Sequence, residues 1–314
     1  MTELETRRGV DRLVLLSEKA GGTEIPFRGS DLVVEELDED SLEGSGAERP
    51  DVVFFTSGAA RALRWAPRFA AAGSRVVDLS SAHRLDPGVP LVGLAGTVSA
   101  SGSAKLKAVP GAAALAAARV LAPLFTKAGP TGARLDATLL VPVSGAGQAG
   151  VLELSKQTAA LLGGRPARSR TFSHRIAFNL VPEVGEAFAA GDTSLERSFR
   201  AEVRRLLSLP DLPVAVTAVR APVFFGLSMV LSGSNGDPKA PVALSKALAS
   251  GHGAVKLLDQ SGAFPMPLLT VGDSSVLVGR IRSDGAGGFQ LFATVDALKL
   301  VAECAVSAGL GEAH

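Results

Sequence analysis

The sequence predicts an α/β fold whose second domain is α+β, and two observations carry that prediction. The first third alternates apolar strands with helices, whereas the second half strings strands together. The chain, 314 residues with 46% apolar and 20% charged, is long enough for about two domains with substantial cores.

Taken in order, Leu13–Leu16 is a short apolar run. Glu24–Phe27 and Asp31–Glu35 flank the turn Arg28-Gly29-Ser30 and predict a hairpin. Val52–Phe55 is a continuous apolar strand of the kind buried in a parallel sheet. Arg61–Ala72 reads as a helix with Trp65, Phe69 and Ala72 on one face and Gly73 closing it. Arg75–Leu79 is the next strand, and the βαβ rhythm points to a doubly wound sheet. Ala108–Ala118 is a buried strand end running into a helix. That helix, Ala112–Lys127, is rich in alanine and ends at Gly129-Pro130.

Asp136–Val143 is a strong strand, Val151–Leu162 a helix stopped by Gly163-Gly164, and Ser194–Leu207 an amphipathic helix. Five strands follow with little helix expected between them: Val214–Val219, Val223–Leu231, Val255–Leu258, Val276–Ile281 and Phe289–Phe292. Such a succession suits a mixed or antiparallel sheet. Asp296–Ala308 is a closing helix.

Composition excludes several function classes. A net charge of +1 provides no field for nucleic acid or an anionic membrane. The single cysteine, Cys304, rules out an intrachain disulfide and a cysteine-based zinc site, and reads as a small buried apolar residue of the closing helix. His83, His252 and His314 show no metal-ligand spacing, so no metal is expected. With no secretory signal and no apolar run near the ~20 residues of a membrane span, a cytoplasmic location is expected.

Gly145-Ala-Gly147-Gln-Ala-Gly150 matches the G-x-G-x-x-G pattern of dinucleotide sites, between a strand and a helix. The acidic partner expected about 20 residues on is absent, because residues 165–172 run Arg-Pro-Ala-Arg-Ser-Arg-Thr-Phe. A tight strand-to-helix turn that needs glycine is the preferred reading.

Four segments together carry a resemblance. Asp78-Leu-Ser-Ser-Ala-His-Arg84-Leu-Asp-Pro87 fits D-x-S-S-x-x-R-x-D-P, and Ser144-Gly145-Ala146-Gly147 fits S-G-A-G. Phe172-Ser-His174-Arg-Ile-Ala-Phe-Asn-Leu-Val-Pro182 fits F-P-H-x-I-A-F-N-x-I-P, and Val278–Arg282 fits V-G-R-I-R. In this order and spacing, from about Gly9 onward, the chain resembles the aspartate-semialdehyde dehydrogenases. The resemblance implies a truncated Rossmann-like nucleotide-binding domain over 1–111 plus 295–314. It implies a mixed-sheet substrate and dimerisation domain of the semialdehyde dehydrogenase type over 112–294.

That family reduces an acyl phosphate with NADPH. Its chemistry needs a cysteine nucleophile, a histidine proton carrier and arginines for carboxylate and phosphate. The resemblance places Ala112 at the nucleophile's position (Val-Pro-Gly-Ala for N-P-N-C), Leu227 at the histidine's and Val141 at a glutamine's. By spacing, Leu195 and Ser198 take the places of a substrate-binding glutamate and lysine. The similarity begins after the family's glycine-rich first turn, leaving Ser57, Gly58, Ser144, Gly145 and Gly147 as candidate remnants of a cofactor site.

Arg84 matches the phosphate-binding arginine and Arg220 the arginine that grips the substrate carboxylate. His174 falls on a non-catalytic part of its motif and is expected to be structural. The resemblance therefore implies a non-catalytic homologue, a pseudoenzyme, with no bound NADP. It would retain an anion-binding vestige and form a homodimer, or a heterodimer with an active paralogue, and could bind a small anionic metabolite. The alternative is an NAD(P)-dependent oxidoreductase of the same family with altered, non-cysteine chemistry.

Overall fold

The computed structural model describes residues 2–5, 9–42, 49–93, 104–125, 132–250, 254–258, 262–285 and 287–311. Gly129-Pro130, His252 and His314 lie outside them. The chain divides into two compact units, Met1–Pro110 with Val301–His314, and Gly111–Leu300.

The first unit opens with helix α1 (Thr2–Glu5) and strands β1 (Leu15–Ser17), β2 (Glu24–Phe27) and β3 (Ser30–Glu36). β2 and β3 pair antiparallel around Arg28 and Gly29, both at positive φ, so the expected hairpin is present; β1 adds to β3 in parallel. A second sheet is wholly parallel: β4 (Val52–Phe55), β5 (Arg75–Asp78) and β6 (Leu106–Ala108), in that order.

Helix α2 (Ala59–Ala71) connects β4 to β5. It buries Ala62, Trp65, Ala66 and Phe69 against Phe55 and Val76; Trp65 and Phe69 lie on the predicted apolar face, whereas Ala72, expected with them, is the half-buried C-cap. Phe55 and Phe69 meet edge to face at 6.0 Å. Trp65 Nε1 finds its partner in Glu18 Oε1 (3.1 Å), and Arg61 Nε donates to the other oxygen of Glu18 (2.7 Å).

The second unit is built on a six-stranded mixed sheet. Its strands are β7 (Arg134–Val141), β8 (Val214–Arg220), β9 (Leu227–Ser234), β10 (Val255–Leu258), β11 (Val276–Ser283) and β12 (Phe289–Val295). They lie in the order β10-β11-β12-β9-β7-β8, with β7–β8 and β10–β11 parallel and the rest antiparallel. Its helices are α3 (Ala112–Phe125), α4 (Gly147–Leu162), α5 (Ser194–Leu206) and α6 (Ala240–Ala249). α7 (Ala297–Leu310) runs from this unit into the first.

Alternation along the strands sorts the two sheet faces. Leu135, Ala137, Leu139, Met229, Leu231, Leu291 and Ala293 are buried on the side where α3, α5 and α6 pack. On the opposite side Thr138, Val230 and Phe292 stand in one cross-strand row, half-buried, beside Leu140.

α5 begins with a capping box: Thr193 Oγ1 accepts from Glu196 N, and Thr193 N donates to Glu196 Oε2 (2.7 Å). Glu196 Oε1 also accepts from Ala218 N on the outer strand β8 (2.8 Å). Val181 and Arg220 exchange backbone bonds one step further along.

Three expectations are corrected. α4 starts at Gly147 rather than Val151, because Gly147 takes φ 71° and opens the helix itself. The strand expected from Val223 starts only at Leu227. Gly226, at φ 85°, has Pro267 so close that a Cβ there would lie 2.7 Å from it, and the preceding residues form a loop. A helix, α6, interrupts the succession of strands.

Candidate functional site

In the second unit, three of the expected site positions converge through strand pairing. Val141 and Arg220 are register partners at the carboxyl ends of β7 and β8. Leu140 pairs with Ser228 on β9, so the next step of the ladder brings Leu227 beside Val141. The row Arg220–Val141–Leu227 is buried, with exposures of 9%, 9% and 4%. Of the three, only Arg220 is polar.

The Arg220 guanidinium has few partners for a buried cation. Its Nη1 donates to Pro142 O (2.8 Å), its Cζ lies 5.6 Å from the centroid of the Phe172 ring, and no carboxylate pairs with it among the described residues. Burial pulls its pKa below the ordinary value. A buried guanidinium with donors to spare is the usual preparation for a bound carboxylate or phosphate.

The glycine loop is shaped around this arginine. A Cβ on Gly145 would stand 2.8 Å from Arg220 Nη1 and 3.3 Å from Val141 Cγ1. One on Gly150 would lie 2.4 Å from Val143 O. At Gly150 the obstacle is backbone, so packing requires glycine there, in agreement with the turn preferred from sequence; at Gly145 a Cβ would displace the end of the Arg220 side chain. Ser144 is half-buried and donates its N–H to Phe224 O (3.2 Å).

Ala112 is the first residue of α3, half-buried, and Gly111 N just before it donates to the buried carboxylate of Glu202 (2.6 Å). An internal carboxylate thus already stands at this helix N-terminus. Leu195 and Ser198 lie one turn apart on α5, both half-buried, and neither carries charge.

In the first unit, Arg84 Nε donates to Val109 O and Nη2 to Leu79 O, each at 2.9 Å, fastening the segments that leave β6 and β5. Ser57 precedes α2, whose N-cap is Gly58; Gly58 O accepts from Arg61 N. His83 and Asp78 form a pair that the sequence reading did not single out. His83 Nδ1 and Asp78 Oδ2 are 2.8 Å apart, with the residues 5% and 0% exposed, and Asp78 Oδ1 also accepts from Ser80 N.

His174 is exposed. Cys304 is buried in α7 as expected. No group of three or more metal-ligating side chains occurs among the described residues, and none of their helices is long and apolar enough to cross a membrane.

The chain was compared with known proteins. The model of the semialdehyde dehydrogenase NAD binding domain matches residues 1–97, and that of the semialdehyde dehydrogenase dimerisation domain matches residues 121–299. The aspartate-semialdehyde dehydrogenase of Aquifex aeolicus is 33% identical over 282 residues, covering 88% of this chain and 81% of that one. A USG-1 protein homolog of Azotobacter vinelandii is 34% identical over 275 residues, covering 86% and 79%. The crystal structure of aspartate semialdehyde dehydrogenase II from Vibrio cholerae superposes with a TM-score of 0.85 at 30% identity, covering 95% and 89%.

Proposed function

Because this chain belongs to the semialdehyde dehydrogenase family, we propose its role from the groups it holds at that family's working positions: it is a non-catalytic member, a pseudoenzyme that keeps the assembly fold and an anion-binding arginine. The observation that carries this reading is the row Arg220–Val141–Leu227, together with Ala112 at the head of α3. The family reaction forms a covalent bond from a thiolate to a carbonyl carbon and moves a proton through an imidazole. A methyl group and an isobutyl group do neither. Loss of one such member of a catalytic unit lowers turnover by roughly a millionfold in a well-studied protease, and such losses do not multiply.

NADP is the cofactor of the family reaction, where it would supply or accept hydride. Packing against Val143 O already accounts for the glycine at 150, and Ser57 with Gly58 at the start of α2 would make a small part of a cofactor cradle. The reading accordingly includes no resident cofactor. Arg220 favours binding of a small carboxylate- or phosphate-bearing metabolite, with Phe172 covering the guanidinium. Arg84 supports this less, since two of its donors serve backbone carbonyls.

Assembly is the other half of the reading. The half-buried row Thr138–Val230–Phe292 favours a homodimer, or a heterodimer with an active paralogue, formed through the sheet. One observation favours the second reading, an oxidoreductase with altered chemistry. His83, held by Asp78, is an oriented imidazole of the kind non-cysteine proton chemistry would use.

The test is a steady-state assay of the purified chain with aspartate semialdehyde, phosphate and NADP, followed by NADPH formation. No turnover above blank is expected from the wild type. Wild-type turnover within about a thousandfold of an active family member, against the millionfold loss expected, sinks the reading.

A further inference from the structure

A second cationic site lies in the second unit, and Arg220 is not among the residues that line it. Between α4 and the segment that follows it is a pocket of about 430 Å³, bordered by Lys156, Arg168, Arg170 and Thr171, with Glu153 and Gln157 at its base. That volume falls in the range of small-molecule sites.

The segment is unusual in charge. Residues 163–180 contain four arginines and a histidine and not one acidic residue, in a chain whose net charge is only +1. Lys156, Arg168 and Arg170 are exposed, and none of them forms an ion pair among the described residues. The one carboxylate in the lining, Glu153, offsets one of these three charges and leaves the pocket net positive. Glu153 is 7% exposed and accepts from the backbone N–H groups of Arg170 (3.0 Å), Thr171 (2.5 Å) and Phe172 (3.4 Å). Gln157 holds the same segment at both ends, donating to Arg168 O (3.0 Å) and accepting from Ile176 N and Ala177 N (2.9 and 3.0 Å).

The segment has no regular secondary structure of its own. Its backbone is nonetheless pinned to α4 through these six groups. The arginines therefore hang from a fixed frame, which lowers the ordering cost of gathering them on a ligand. Three like charges around one pocket repel each other, and a multiply charged anion reverses the sign of that interaction. A phosphoryl group fits the arrangement best: it is tetrahedral, doubly charged and able to offer an oxygen to each cation.

We propose that this pocket is a binding site for a small phosphoryl-bearing anion, recognised by Lys156, Arg168 and Arg170. The site does not depend on whether the chain is catalytic. Its position, on a helix that leads away from the glycine loop, suits an effector rather than a reacting group.

Isothermal titration of the full chain at low salt, with pyrophosphate and with a phosphorylated sugar as probes, tests the proposal. At least one probe is expected to bind, and to weaken as salt is raised. Arg168→Ala with Arg170→Ala should weaken it about tenfold or more, since each removes a charge-assisted hydrogen bond to the anion. Lys156→Glu, a charge reversal on the helix, should weaken it independently, and circular dichroism should show both variants folded. Arg220→Ala should leave it unchanged. The proposal is overturned if neither probe binds, if the double variant binds as the wild type does, or if binding vanishes with Arg220. It is also overturned if an RNA oligonucleotide displaces the probe at lower concentration, because that would make the strip an extended nucleic-acid surface.

Discussion

Replacing Glu153 by alanine tests how the irregular segment 168–177 is held. The carboxylate accepts three backbone N–H groups and, at 3.1 Å, Gln157 Nε2. Hydrogen bonds to a charged acceptor contribute about 1.5–3 kcal/mol each; counting Arg170 and Thr171 as full and Phe172, at 3.4 Å, as weak gives about 3–6 kcal/mol. Removing the carboxylate also removes its desolvation cost, and exposed neighbours let water reach some of the freed amides, so the net loss is about 2–4 kcal/mol. Two-unit chains do not guarantee two-state unfolding, so local hydrogen exchange is the better assay. The amides of Arg170 and Thr171 should exchange about 30- to 1000-fold faster in Glu153→Ala.

Acid should reproduce this effect. Burial opposes ionisation of Glu153, but the N–H groups of Thr171, Arg170 and Phe172 outweigh it and hold its pKa below the ordinary carboxylate value. A depressed folded pKa means the stabilisation is complete above the unfolded value and disappears as pH falls through the folded one. Exchange at these two amides that stays within about threefold of wild type, in the variant and in acid alike, would refute the clamp, since the expected change starts near 30-fold.

Two further outcomes are expected. His83→Ala leaves the fully buried Asp78 with the N–H of Ser80 alone among the contacts described above. The variant should lose about 2–4 kcal/mol by urea denaturation, and a loss under about 0.5 kcal/mol would show that the pair contributes little. Phe292→Glu puts a charge at one end of the half-buried sheet row. Light scattering should find the wild type at twice the 32.0 kDa chain mass and the variant at one chain; a variant that stays dimeric removes this face from the interface.

The fold was legible wherever local signals suffice. The stripe through Trp65 and Phe69 specified α2, and Arg28-Gly29 specified the hairpin, because both depend on neighbours close in sequence. α6 was missed because Asp237-Pro238-Lys239-Ala240-Pro241 reads as loop, although proline is well tolerated in a first helical turn. Ala112, Val141 and Leu227 could be singled out by resemblance. Their arrangement could not, since the row Arg220–Val141–Leu227 exists only through pairing of three strands distant in sequence. The Glu153–Gln157 clamp also escaped. Its signal was present all the same: a long stretch without periodicity still needs partners for its buried amides, and two polar residues four apart on a preceding helix can provide them.

The outermost strand, β8, has a consequence for how copies of this protein can meet. A naked sheet margin invites a neighbouring chain to extend it. Here the outward amides of Ala218 and Arg220 are already occupied, one by the Glu196 carboxylate and the other by Val181 O. Edge-to-edge growth is thus blocked where the margin approaches the buried guanidinium. A neighbouring chain would have to break those bonds before it could extend the sheet from this margin.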